Sequence, residues 1–250
     1  AHERSLEGEE RQEMKFYNRL ADGFTPLVKL FSSEYANQQA YDAIQSWGVT
    51  ALDCVNGPYE GTLFWRDKER RKSMGMEHSV LTSGPTITEL MPTYSYRLEH
   101  KEGYQYPVSF LAEGEKAQGA PGNRVSVEFS TYKTGVFTYQ PETGFYLVEE
   151  YGAPYLDGNT GEQVAVKNVL VLRTDVSNLQ GDDAGRLSVR TTGTGTGQLF
   201  CDGTVQDITW SKAKHGAPLT YTDQSGQPLK LGVGPTYVNL VGRSAQVTVS

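Results

Sequence analysis

The stretch Asn168-Val169-Leu170-Val171-Leu172 decides the fold. A strand points alternate side chains to opposite faces, so a run that is apolar at nearly every position reads as a strand buried on both faces. Around it the pattern has period two. Val125, Val127 and Phe129 alternate with polar residues. Val136-Phe137-Thr138-Tyr139, the turn Pro141-Glu142-Thr143-Gly144 and Phe145-Tyr146-Leu147-Val148 form a hairpin or meander. Asp157-Gly158-Asn159-Thr160-Gly161 is a further turn. Later strands are expected near 186–192, 197–201, 204–211, 219–222 and 236–241, each bounded by Gly, Asp or Pro. No fixed-period repeat occurs, which argues against a solenoid or propeller. Residues 119–250 therefore read as a β-rich, mainly antiparallel domain.

Upstream the pattern changes. Met14, Tyr17, Leu20 and Ala21 share one face of a helix over 8–22, and Leu27 to Phe31 reads as a strand. Asn37 caps a second helix carrying Ala40, Ile44 and Trp47, which Gly48 ends before the short strand Val49 to Leu52. This order suggests a small α/β layer. Gly61 to Trp65 is a further strand, 67–73 a short polar helix, and Ser83 caps a helix that runs through Met91. The polar Gly/Pro stretch Glu113 to Gly122 reads as a linker. The fold class expected is α+β: a small N-terminal α/β layer in residues 1–118, followed by the β-rich C-terminal domain.

The chain has 250 residues, 37% hydrophobic and 11% aromatic, with 27 Gly and 15 Tyr. Length and aromatic content suit a folded, turn-rich β protein. The net charge of -7 lacks the basic footprint that nucleic acid requires. The mixed run Arg66 to Lys72 reads as a solvated helical face. No apolar run reaches the length of a membrane-spanning helix. The chain begins at Ala1 without methionine or signal peptide, so a processed start is expected. Cys54 and Cys201 read equally as one bridge or two free thiols.

Catalytic motifs are missing: there is no G-x-S-x-G elbow, no H-E-x-x-H and no phosphate loop. Gly193 to Gly197 reads as a flexible hairpin turn. Asp157 to Glu162 lacks the ligand order of a calcium loop, and Asp182-Asp183 reads as a solvated turn. No metal and no cofactor are expected. His2, His100 and His215 read as terminal or surface residues. His78 follows Glu77 directly, so on a strand the two would face opposite sides. The tyrosines 94, 96, 104 and 106 read as core more than as a ligand platform. The strand at 61–66 is expected to lie beside 77–82, bringing Trp65, Arg66, Glu77 and His78 together, with Arg66 pairing with Glu77. These four are the candidate binding residues.

Ala40-Tyr41-Asp42-Ala43-Ile44, Ala51-Leu52-Asp53, Phe64-Trp65-Arg66-Asp67 and Glu77 to Ser83 resemble the first domain of the YerB-like family. Tyr139 to Tyr146, Tyr155 to Gly158, Asn168 to Leu172, and Gly197 to Gly203 followed by Ile208 to Lys212 resemble its C-terminal domain. These are Gram-positive surface lipoproteins built on a domain of unknown function. The family's upstream strands, and its His and paired Gly before the Ala40 to Ile44 segment, have no counterpart here. Without those strands, an unpaired edge near Leu27 to Phe31 is expected. The resemblance implies a lipid-anchored location on the extracellular side of the membrane, with the lipid upstream of Ala1. It transfers no catalytic residue. The expected function is a non-catalytic binding or scaffold module for a cell-wall glycan, a peptide or another surface protein. The alternative is a cell-wall-active enzyme using His78 with a carboxylate or thiol.

Overall fold

The structure, a computed structural model, describes residues 61–94, 103, 106–158, 160–182, 186–215 and 217–250. The two N-terminal helices, the strands at 27–31 and 49–52, Cys54, and the residues Tyr96 and Tyr104 lie outside these. The chain divides into two compact units: 1–105 with 215–218, and 106–214 with 219–250.

In the first unit the strand β1 (Trp65–Arg66) pairs antiparallel with β2 (Val80–Leu81), Trp65 opposite Leu81 and Arg66 opposite Val80. Between them lie the helix α1 (Lys68–Met74) and a 3-10 turn (Met76–His78). The Asp67 carboxylate accepts the Arg70 amide at 2.7 Å and starts α1. Gly75 ends it at φ 102, a conformation that favours glycine. Every residue of α1 is solvent-accessible, in keeping with its sequence KERRKSM. The helix α2 (Gly84–Leu90) begins where expected, with the Ser83 hydroxyl accepting the Thr86 amide at 3.2 Å.

The second unit is built on strands throughout. In chain order these are β3 (Ser109–Phe110), β4 (Ala120–Pro121), β5 (Arg124–Glu128), β6 (Thr134–Gln140), β7 (Phe145–Glu150), β8 (Ala153–Pro154) and β9 (Ala165–Val166). They continue with β10 (Asn168–Thr174), β11 (Val176–Asn178), β12 (Leu187–Val189), β13 (Gly193–Cys201) and β14 (Thr204–Lys212). The last are β15 (Thr220–Asp223), β16 (Lys230–Leu231), β17 (Thr236–Gly242) and β18 (Val247–Val249). One six-stranded sheet runs β15-β14-β13-β10-β17, with β4 also on β14. The other runs β18-β5-β6-β7-β8, with β9 also on β7. Pairing is antiparallel except for β10 with β17 and β16 with β3.

The central strand β10 explains its own sequence. Val169 and Val171 enter a core with Val125, Val127, Phe137, Tyr146 and Val148 from the second sheet. Leu170 and Leu172 enter a separate core with Leu199, Ile208, Trp210 and Leu231. Both faces are therefore dry, which is why polar alternation is missing at 169–172.

Two expectations are corrected. Gly193 to Gly197 is the first half of β13, not a turn. Its glycines make room: a Cβ on Gly195 would lie 2.5 Å from the Trp210 Nε1, and one on Gly197 would lie 2.6 Å from the Val171 carbonyl oxygen. The stretch 113–122 is not a free linker either. Ala117 is buried, β4 pairs with Thr204 and Val205, and a Cβ on Gly119 would lie 2.3 Å from the Val205 carbonyl oxygen. Small residues here allow close packing rather than mobility. The strand-rich, mostly antiparallel character is as expected, whereas the α/β layer falls in residues outside the description.

Candidate functional site

The β1–β2 pairing sets the surroundings of Trp65 and Arg66. The Arg66 guanidinium donates to the Met76 carbonyl at 2.9 Å and to the Ser79 hydroxyl at 3.2 Å. Ser79 is fully buried, and its hydroxyl donates to the same Met76 carbonyl at 2.6 Å. Arg66 thus ties β1 to the 3-10 turn that carries Glu77 and His78. Trp65, its neighbour on the strand, is 39% exposed, and His78 is exposed at the end of the turn. The backbone brings all four positions into one small region. The expected Arg66–Glu77 ion pair concerns the Glu77 side chain, which lies outside the description. Met74 and Met76, at the end of α1 and the start of the 3-10 turn, are also exposed.

The second unit holds a buried polar node where β13 turns into β14. Asp202 and Gly203, at φ 51 and 73, form a two-residue hairpin loop, the geometry that Asp-Gly favours. The Asp202 carboxylate accepts the Lys167 ammonium at 2.5 Å and the Ala117 amide at 3.1 Å. Lys167 also donates to the Gly144 carbonyl at 3.2 Å. Burial acts against both charges, but their contact outweighs it: the Asp202 carboxyl titrates below its ordinary value and the Lys167 ammonium above it. Cys201 is free and buried, and burial pushes its thiol up to about 11. At neutral pH it is a protonated thiol and a poor nucleophile. Nearby, the Tyr146 hydroxyl donates to the Gly122 carbonyl and accepts the Gly203 amide. These partners lie in five strand connections, so the node ties them together.

A third feature escaped the sequence reading. The β5–β6 loop places Tyr132 at its tip, 86% exposed, on a turn stitched by the Ser130 hydroxyl, which accepts the Tyr132 and Lys133 amides. The adjacent β7–β8 loop is Tyr151-Gly152, with φ 55 and 76 and with Tyr151 66% exposed. Lys133 lies 5.6 Å from the Tyr151 ring centre and pairs with Glu150 at 3.1 Å. Glu150 also accepts the Tyr237 hydroxyl at 2.5 Å. Burial raises the titration of Tyr237, as do Glu150 and the hydroxyls of Tyr155 and Tyr151. Exposed Tyr155 and Leu156 follow on the same chain segment. The available signal was a Tyr-Gly pair between two strand patterns, a place where Asn or Asp is usual. Among the described residues, no group of three His, Cys, Asp or Glu side chains is placed to hold a metal ion.

Fold and site together define a β-rich module with two packed sheets and exposed aromatic loops. Residues 125–238 match a family described as the C-terminal domain of a protein of unknown function (DUF3048). A Bacillus subtilis (strain 168) protein named "Putative lipoprotein YerB" is 27% identical over 195 residues, which cover 76% of this chain and 55% of that protein. The chain thus spans about half the length of this curated relative. The crystal structure of YerB from Bacillus subtilis superimposes with a TM-score of 0.62 at 22% identity, covering 94% of this chain and 74% of that one. At that identity the likeness concerns the fold. The chain is YerB-like, as the segments quoted above indicated.

Proposed function

We propose that the protein is a lipid-anchored module on the extracellular side of a Gram-positive-type membrane, which binds a cell-wall component without chemical turnover. The relative's name, a lipoprotein, supports the location. The observation that carries the binding role is the pair of neighbouring hairpin tips that expose Tyr132 and Tyr151. Exposed aromatics of this kind, rimmed by charged groups, mark interaction sites. The buried ionisable groups of the β13–β14 node are committed to the fold, whereas these tyrosines are exposed and free to meet a ligand's surface. In the first unit, Trp65, Arg66, Glu77 and His78 form a second contact surface. There Trp65 supplies the ring, and Arg66 holds the turn that carries His78.

The test is co-sedimentation of the purified chain with insoluble cell-wall sacculi, with the supernatant examined for released fragments. Saturable binding without release is expected. Fragment release that a His78→Ala substitution abolishes would instead establish the enzymatic alternative.

A further inference from the structure

We infer that the hairpin tips carrying Tyr132 and Tyr151 form a stacking platform for an uncharged glycan strand. The inference rests on the wall-binding reading above and specifies its ligand and its residues.

Local turn chemistry gives the first reason. A two-residue hairpin loop with both φ values positive selects Asn, Asp or Gly at its first position. The same geometry at Asp202-Gly203 follows that rule. At Tyr151-Gly152 a large aromatic occupies the left-handed position, and its ring is not used to fill a core. A strained residue with an exposed side chain at a loop tip points to a role outside folding. The second reason is independent of the first. The neighbouring β5–β6 tip exposes Tyr132 still further, and its backbone is fixed by Ser130 rather than by the ring. Register places these tips side by side, since Gly135 faces Glu150 across β6 and β7 and Lys133 reaches the Tyr151 ring.

The chemistry of the platform selects its occupant. Tyrosine combines an apolar ring with a hydroxyl and loses little rotamer freedom on binding. That matches a pyranose ring, which has an apolar C–H face and hydroxyls around its edge. The charge near the tips argues against a polyanionic wall polymer. Lys133 is neutralised by Glu150, while Glu128 and Glu149 add negative charge on the same strands. The chain's net charge of -7 acts in the same direction. An uncharged sugar strand avoids that repulsion.

The experiment is titration calorimetry of the chain with chitopentaose in its fully N-acetylated, uncharged form, together with sedimentation with sacculi stripped of anionic polymers. The wild type, a Tyr132→Ala/Tyr151→Ala variant and a Tyr132→Phe/Tyr151→Phe variant are compared after their melting temperatures are matched. The expected result is saturable chitopentaose binding that weakens tenfold or more in the alanine variant and survives largely in the phenylalanine variant. Sacculus binding that the alanine variant retains in full would overturn the platform and leave the wall-binding reading standing. Binding to free stem peptides but not to chitopentaose would overturn the glycan assignment. Failure of the wild type to bind sacculi or sugar would overturn both readings.

Discussion

Single residues here are occupied mostly with holding turns and neutralising buried charge, and their titration shows it. Cys201 titrates at about 11 in the folded chain, above an ordinary thiol, because burial disfavours the thiolate. A raised folded value gives a contribution to stability that is complete below the ordinary thiol pKa and is lost as pH rises through the folded value. The window is therefore about pH 9 to 11, and the loss over it is about 2–3 kcal/mol. Urea unfolding across this range should show the wild type losing stability more steeply than Cys201→Ala. Parallel curves would show that folding leaves the thiol's pKa where it is in the unfolded chain. Arg66 gives a second case. Its guanidinium holds the Met76 carbonyl and the Ser79 hydroxyl, so Arg66→Ala should lower stability by about 1–2 kcal/mol. If Arg66 only pins the turn, sacculus binding should be unchanged. Lost binding at unchanged melting temperature would make it a ligand contact instead.

Elements show how far the sequence could be read. The alternation at Val125, Val127 and Phe129, the segments 136–139 and 145–148, and the doubly apolar β10 gave their strands directly because burial dictates the pattern. Gly193 to Gly197 misled because glycine signals a turn by default. Here it answers to Trp210 and the Val171 carbonyl, distant residues that no local window contains. The 113–122 strap misled in the same way, its Gly119 and Gly122 serving close approach to Val205. Of the candidate site, the neighbourhood of Trp65, Arg66 and the Met76 to Ser79 segment was legible, since a short connection brings adjacent strands together. The tyrosine platform was not, because it depends on two loops meeting across a register. The Tyr151-Gly152 loop carries its own prediction. Replacing Tyr151 with Asn should relieve the left-handed strain and raise stability by about 0.5–1 kcal/mol while glycan binding falls. A melting temperature that drops would show that the Tyr151 ring supports the fold after all.

At the scale of the whole molecule, chain order and spatial order differ most at the C-terminus. The strand β17 lies parallel to β10, with Asn168 opposite Thr236 and Thr174 opposite Gly242. The strand β18 pairs with β5, with Val247 opposite Val127. Val241 belongs to the core between the sheets, and Tyr237, Val247 and Val249 pack against it. A chain ending at Pro235 should therefore lose the cooperative melting transition expected of the intact second unit and bind a hydrophobic dye. A truncated chain that melted sharply would show that the other strands suffice. The pairings of β10 with β17 and of β5 with β18 span long sequence separations, which slows closure. Each sheet receives a strand from the final segment, 236–250. Neither sheet is complete until that segment has joined it. One short stretch thus acts as a shared latch: loosening it at β17 or β18 would release a strand from each sheet and open the core between them at once.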